Sequence, residues 1–268
     1  MWNRVIEYIM QNSTVNINPE DYKVDGLLYC GKCNTPKQCR IKVGGKVLEP
    51  YALCKCAVEE LAKEEQADRN RSRLQQIESN REQAFSGSSF KGWTFDKDGD
   101  PKSKVAQVAR KYVTHFRDMD GSGLCLFGTI GTGKTFYAAC ILNALIDKGY
   151  TGLITTMSAV ADRKYDGDMS ELMKVDLLVI DDFGAERKTD YMAEIAHDVI
   201  DARYRAKKPV IVTTNLTATE LKSPTDLNKQ RVYSRILEMC IPIEVIGNDK
   251  RRDHLRENYR KYKDMLGL

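Results

Sequence analysis

From Leu124 onward, short apolar runs alternate with amphipathic stretches. Leu124–Phe127 has the length and continuous apolar character of a buried strand, and residues 134–147 carry the helical period. The pattern repeats, with strands at Gly152–Thr156 and Leu177–Ile180, a helix at 189–206 and another strand at Val210–Thr214. Residues 227–240 fit a helix, Ile241–Ile246 a last strand and 250–265 a basic final helix. Strands that are apolar on both faces and separated by helices imply a parallel sheet covered on both sides, an α/β fold.

The first third follows other rules. Trp2, Val5, Ile6 and Ile9 fit one face of a short helix, and a turn-rich segment follows. From Ala57 to about Ala84 charge is dense, Gly and Pro are absent, and the few apolar positions are Val58, Leu61, Leu74 and Ile77. A helix that is polar nearly all round bridges domains in solvent. The SGSS break at 86–89 sets the boundary, so the expected organisation is 1–56, a charged helical linker over 57–89, and a main domain over 90–268.

A net charge of +4 is too small to imply nucleic acid by itself. No apolar run approaches the roughly 18 residues a membrane helix needs, and MWNRVIEYIM lacks a signal-peptide layout. The expected setting is cytoplasmic. Five of the eight cysteines fall between residues 30 and 56. Clustered cysteines in a reducing compartment favour metal over disulfides. YCGKC and LCKC place Cys30, Cys33, Cys54 and Cys56 as two close pairs across a loop, the arrangement of a structural zinc site with four cysteine ligands. Cys39 is then a spare, or it displaces one of the C-x-C cysteines.

GTIGTGKT, residues 128–135, satisfies G-x-x-x-x-G-K-T between an expected strand and helix. Gly128, Thr129, Ile130, Gly131, Thr132 and Gly133 offer backbone N–H groups to the phosphates of ATP. Lys134 adds charge at the β- and γ-phosphates, and Thr135 a hydroxyl to Mg²⁺. DLLVIDDFG ends a strand in two carboxylates, with Asp181 placed to hold Mg²⁺ and Asp182 to polarise the attacking water. A strand VIVTTN lying between the other two would bring Asn215 beside the γ-phosphate, although Asn after a strand is also an ordinary turn residue.

With FGTIGTGKT, LLVIDDFG, VIVTTNLT and RVYSRILEMC in order, the chain resembles the AAA+ helicase loaders of the DnaC type, including phage and prophage members, and the IstB transposition helper ATPases. The likeness covers roughly residues 90–255, and the cysteine region resembles the zinc-bearing N-termini of some phage members. It implies an AAA+ P-loop fold with a small zinc-binding N-terminal module. It also implies that Arg235 is an arginine finger acting on a neighbouring subunit's γ-phosphate. Arg251 takes the place of a lid arginine over the subunit's own nucleotide, and Arg231 could substitute for either. Two departures stand out. The segment between the second strand and DLLVIDD is short where loaders often carry a helical insertion for single-stranded DNA, and Arg163 and Lys164 are only weak candidates for a DNA-facing loop there. Asp182 also stands where Glu is commoner, which suits a switch of modest turnover.

The expectation is an ATPase that loads a replicative hexameric helicase onto single-stranded DNA, self-associating head to tail, with ATP, Mg²⁺ and Zn²⁺. The N-terminal module would bind the partner, and no membrane role is expected. The rivals are an ATPase that guides a transposase and a nucleotide-gated adaptor without useful hydrolysis.

Overall fold

The computed structural model describes residues 17–43, 45–86, 88–167, 169–185, 189–224, 227–250, 259–263 and 265–267. The expected helix around Trp2 and Ile9 and the lid candidate Arg251 lie outside the described residues. Two units are distinguished, Met1–Gln75 and Gln76–Leu268, and the division falls within the helix Lys55–Phe85.

Among the described residues, the first unit holds two antiparallel hairpins, β1 (Tyr22–Val24) with β2 (Leu27–Tyr29) and β3 (Ile41–Val43) with β4 (Lys46–Leu48). Asp25 and Gly26 make the first turn with φ of 52° and 83°, the positive values that a tight two-residue hairpin requires. Lys37 and Asp21 pair at 2.6 Å with both side chains largely buried. The hydrogen bond from Lys37 holds the Asp21 carboxyl below its usual range. Asp21 also accepts the Gly31 N–H at 3.1 Å and so fixes the loop that carries the first cysteine pair.

The second unit is a five-stranded parallel sheet in the order β6-β7-β8-β5-β9, comprising β5 (Gly123–Phe127), β6 (Gly152–Thr156), β7 (Leu177–Phe183), β8 (Val210–Thr214) and β9 (Cys240–Glu244). Alternate residues serve opposite faces, as the pleat demands. Leu124, Leu126, Leu177, Val179 and Ile211 enter one apolar cluster with the helices Lys104–Thr114 and Lys134–Asp147. Cys125, Leu178, Ile180, Val210 and Val212 enter the other, with the helices Met157–Tyr165, Asp190–Arg205 and Leu227–Met239. The expected α/β class is the one observed.

The helix Lys55–Phe85 is polar over most of its length, with Val58, Leu61 and Leu74 exposed. Its last turns differ, because Ala84 and Phe85 are buried in the second unit's core and Ile77 packs against it. Arg203, at 0% exposure, is a fully buried cation. It donates to the carbonyls of Leu172, Val175, Asp176 and Pro209 at 2.8–3.2 Å. Burial pushes its pKa down to about 10, so it stays charged at neutral pH. Among the described residues, no helix is long and apolar enough to cross a membrane.

Candidate functional site

β5 ends at Phe127, and the chain turns through Gly128–Gly133 into a helix that is buried along most of its length. Gly131 and Gly133 have φ of 81° and 98°, which side chains disfavour. Space is closed as well, since a Cβ on Gly131 would lie 1.8 Å from Asp249 Oδ1 and one on Gly128 would lie 2.7 Å from the Val245 carbonyl oxygen. Lys134 Nζ donates to the carbonyls of Gly128 at 3.0 Å and Thr129 at 2.7 Å, and the Thr132 hydroxyl to Thr129 at 3.0 Å. The loop is a preformed cradle at a helix N-terminus, where free N–H groups and the helix dipole both favour an anion.

Both acids arrive from one strand, β7. β8 lies between β5 and β7, so the P-loop, the end of β8 and the end of β7 sit side by side. The β7–β8 register shifts between Ile180 and Phe183, and Asp182 adopts a φ of 54°. Asp181 and Asp182 thereby both line the cavity instead of alternating across the sheet. Thr213 links them. Its hydroxyl donates to Asp181 Oδ1 at 2.6 Å and accepts the Asp182 N–H at 2.9 Å, while Asn215 Nδ2 donates to Asp182 Oδ1 at 2.8 Å.

These groups line a cavity of about 840 Å³, within the range typical of small-molecule sites. Gly131, Lys134, Thr135 and the two aspartates line it together with Trp93 and Phe136. Motif reading missed Thr213, because a threonine inside a strand looks like ordinary sheet chemistry. It also missed Lys250, which lines the cavity and whose N–H donates to the Gly131 carbonyl at 3.0 Å. Sequence placed Lys250 only among the basic residues of the last helix.

Among the described residues, no arginine lines this cavity. Arg235 sits on the helix Leu227–Met239 with its guanidinium 4.4 Å above the Tyr204 ring. It pairs with Glu238 at 3.1 Å and Asp201 at 3.6 Å. Arg231 is exposed on the same helix. Arg163 and Lys164 stand on the helix Met157–Tyr165, not in an open loop, and pair with Glu171 and Asp198.

In the first unit, Cys30 follows β2 and Cys33 lies in the turn after it, while Cys54 and Cys56 flank the start of the long helix. Their four Sγ atoms all lie within 4.8 Å of one another, with Cys30–Cys56 at 3.6 Å and Cys54–Cys56 at 3.3 Å. A tetrahedral zinc with bonds of ~2.3 Å sets its sulfurs roughly 3.8 Å apart, so the donor set fits zinc. Cys39 is exposed and is not part of this cluster. The Thr35 hydroxyl lowers the Cys33 thiol pKa, whereas crowding against Cys54 raises that of Cys56.

Comparisons with known proteins agree with this geometry. The family described as IstB-like ATP binding protein matches residues 51–258, and the chain belongs to that family. The replicative helicase loader DnaC of Escherichia coli K12 is 33% identical over 158 residues, 55% of this chain and 62% of that protein. The replicative helicase loader DnaI of Bacillus subtilis 168 is 28% identical over 149 residues, 49% of this chain and 48% of that protein. The matches thus span about half to three fifths of these relatives. A crystal structure of the DnaC helicase loader superposes with a TM-score of 0.52 at 26% identity, covering 60% of this chain and all of that one. The second unit is an AAA+ P-loop fold of the DnaC type.

Proposed function

We propose that this member of the IstB-like ATP-binding family hydrolyses ATP to load a replicative hexameric helicase onto single-stranded DNA. The observation that carries the chemistry is the juxtaposition of the P-loop cradle with Asp181 and Asp182 in one cavity. The helicase as target rests on relatives named as replicative helicase loaders. The organisation proposed is a zinc-bearing, partner-binding module over 1–56, a helical linker over 57–89 and the ATPase over 90–268.

The P-loop N–H groups bind the phosphates of ATP, and Lys134 leaves its carbonyl partners to meet the β- and γ-oxygens. Thr135 and Asp181 would hold Mg²⁺, which neutralises phosphate charge. Asp182 accepts a proton from the attacking water, and the Asn215 amide fixes the orientation of that carboxylate. Thr213 holds Asp181 and the Asp182 backbone in register. Arg235 serves a neighbouring subunit's γ-phosphate across a head-to-tail interface, and Arg251 closes over the subunit's own nucleotide. Four cysteine ligands leave no open coordination position, so the zinc is structural.

The proposed setting is the cytoplasm, with single-stranded DNA gripped in the ATP-bound assembly. Co-purification tests the partner. A replicative helicase from the same cell should be retained by the tagged chain, and ATP should change the amount retained. The resemblance to the IstB helper ATPases, in whose family the chain falls, supports one other reading, an ATPase that guides a transposase. Retention of a transposase with no retention of helicase would select it.

A further inference from the structure

We infer that Trp93, backed by Phe136, receives the purine ring of the nucleotide, and that Asn143 is the positioning residue that holds Trp93 in place. The inference rests on the P-loop being the ATP site. The phosphate groups of the cavity are accounted for by Gly131, Lys134 and Thr135, and Trp93 contributes an aromatic wall to the same space. Its ring lies 4.4 Å from Phe90 and 5.8 Å from Phe136, centroid to centroid, so it is supported from behind. Phe136 directly follows Thr135, so one member of this aromatic pair adjoins the phosphate cradle in the chain. A flat, weakly polar ring such as a purine stacks on such a wall, whereas a phosphate gains nothing from it.

Asn143 explains why the wall is there. It lies on the helix that begins at Lys134 and is 1% exposed among apolar neighbours. A buried amide is costly unless its hydrogen-bonding groups are used, and here they are. Nδ2 donates to the Trp93 carbonyl at 2.8 Å and the Phe90 carbonyl at 3.4 Å, while Oδ1 accepts from Arg81 Nε at 3.2 Å. The segment bearing Trp93 is thus tied to the same helix that presents the P-loop, which fixes the distance between base end and phosphate end. Arg81, which also pairs with Glu78 and Asp147, sets the orientation of the amide.

The test uses Trp2→Phe protein, in which Trp93 is the one remaining tryptophan, with ADP and inorganic tripolyphosphate as probes. ADP should change the Trp93 emission, and tripolyphosphate should compete with ADP yet leave the emission near its starting value. Trp93→Ala should weaken ADP about 5- to 150-fold, the range for losing a base–aromatic stack, without weakening tripolyphosphate, and Trp93→Phe should restore most of the loss. Asn143→Ala should weaken ADP selectively, and the half-buried variant Arg81→Ala should do so to a smaller degree even if Asn143→Ala fails to fold. Unchanged emission at saturating ADP, or equal weakening of both probes in Trp93→Ala, overturns the base contact. Undiminished ADP affinity in Arg81→Ala, and in Asn143→Ala if it folds, overturns the positioning role. If the Trp2→Phe protein binds neither probe, the P-loop reading itself fails and takes this inference with it.

Discussion

The Thr213 hydroxyl donates to Asp181 Oδ1 at 2.6 Å, so a residue of β8 orients a carboxylate near the end of β7. The same oxygen accepts the Asp182 N–H, where the backbone turns into positive φ. One hydroxyl therefore sets both acids of the site.

Thr213→Val keeps the shape and removes both hydrogen bonds. Hydrogen bonds to charged groups contribute about 1.5–3 kcal/mol, so ATP turnover should fall roughly 10- to 100-fold. ATP affinity should change much less, because the P-loop is untouched. Steady-state hydrolysis and equilibrium nucleotide binding, measured side by side, check the split.

The sheet and the P-loop were legible in the sequence because both obey strong local rules. β5, β6 and β8 are short apolar runs, and Gly128–Thr135 is a motif whose spacing is its mechanism. The sequence pattern predicts no element at the helices Lys104–Thr114, Met157–Tyr165 and Ser170–Lys174, although Ser103 and Thr156 cap the first two by accepting the N–H of Ala106 and Ala159. Thr213 and Lys250 were hidden for a different reason. Their roles come from strand order and from the return of the chain to Gly131, which are long-range facts that no local pattern encodes. The Cys54–Cys56 pair was legible despite its short spacing, and exclusion of Cys39 required the fold.

Arg235 should matter only between subunits. Arg235→Ala should bind ATP normally and hydrolyse it poorly, while Lys134→Ala should fail at binding yet still offer its own Arg235. Mixing the two should restore activity above the sum of the separate variants, since an arginine finger contributes about 10³–10⁵ in rate. If co-assembled mixtures never exceed that sum at any ratio, Arg235 does not act across an interface.

Purified without chelator, the protein should carry one zinc per chain. Replacing Cys30 and Cys33 together by Ser should abolish it, whereas Cys39→Ser should not. The second unit should still bind nucleotide, because it has its own sheet and core. Metal analysis and ADP titration of the variants provide the two readouts.

Arg203→Ala should destabilise the second unit severely. The change removes the guanidinium from four carbonyls, those of Leu172 and Val175 on buried residues, and opens a cavity between the helix Asp190–Arg205 and the sheet. A loss of about 3–5 kcal/mol is expected, read as a lowered denaturation midpoint in urea. Lys207→Ala, which removes an exposed pair with Asp120, should cost less than about 1 kcal/mol.

On the proposed function, ATP at this P-loop drives the placing of a helicase ring on DNA. This is tested by assembling the replicative helicase on covalently closed circular single-stranded DNA, where a ring cannot thread over an end. Wild-type chain with ATP should raise the amount of helicase on the circles well above the helicase-only level, and Lys134→Ala should leave it at that level. Equal loading by Lys134→Ala, or no stimulation by the wild-type chain although it binds the helicase and hydrolyses ATP, would contradict the account.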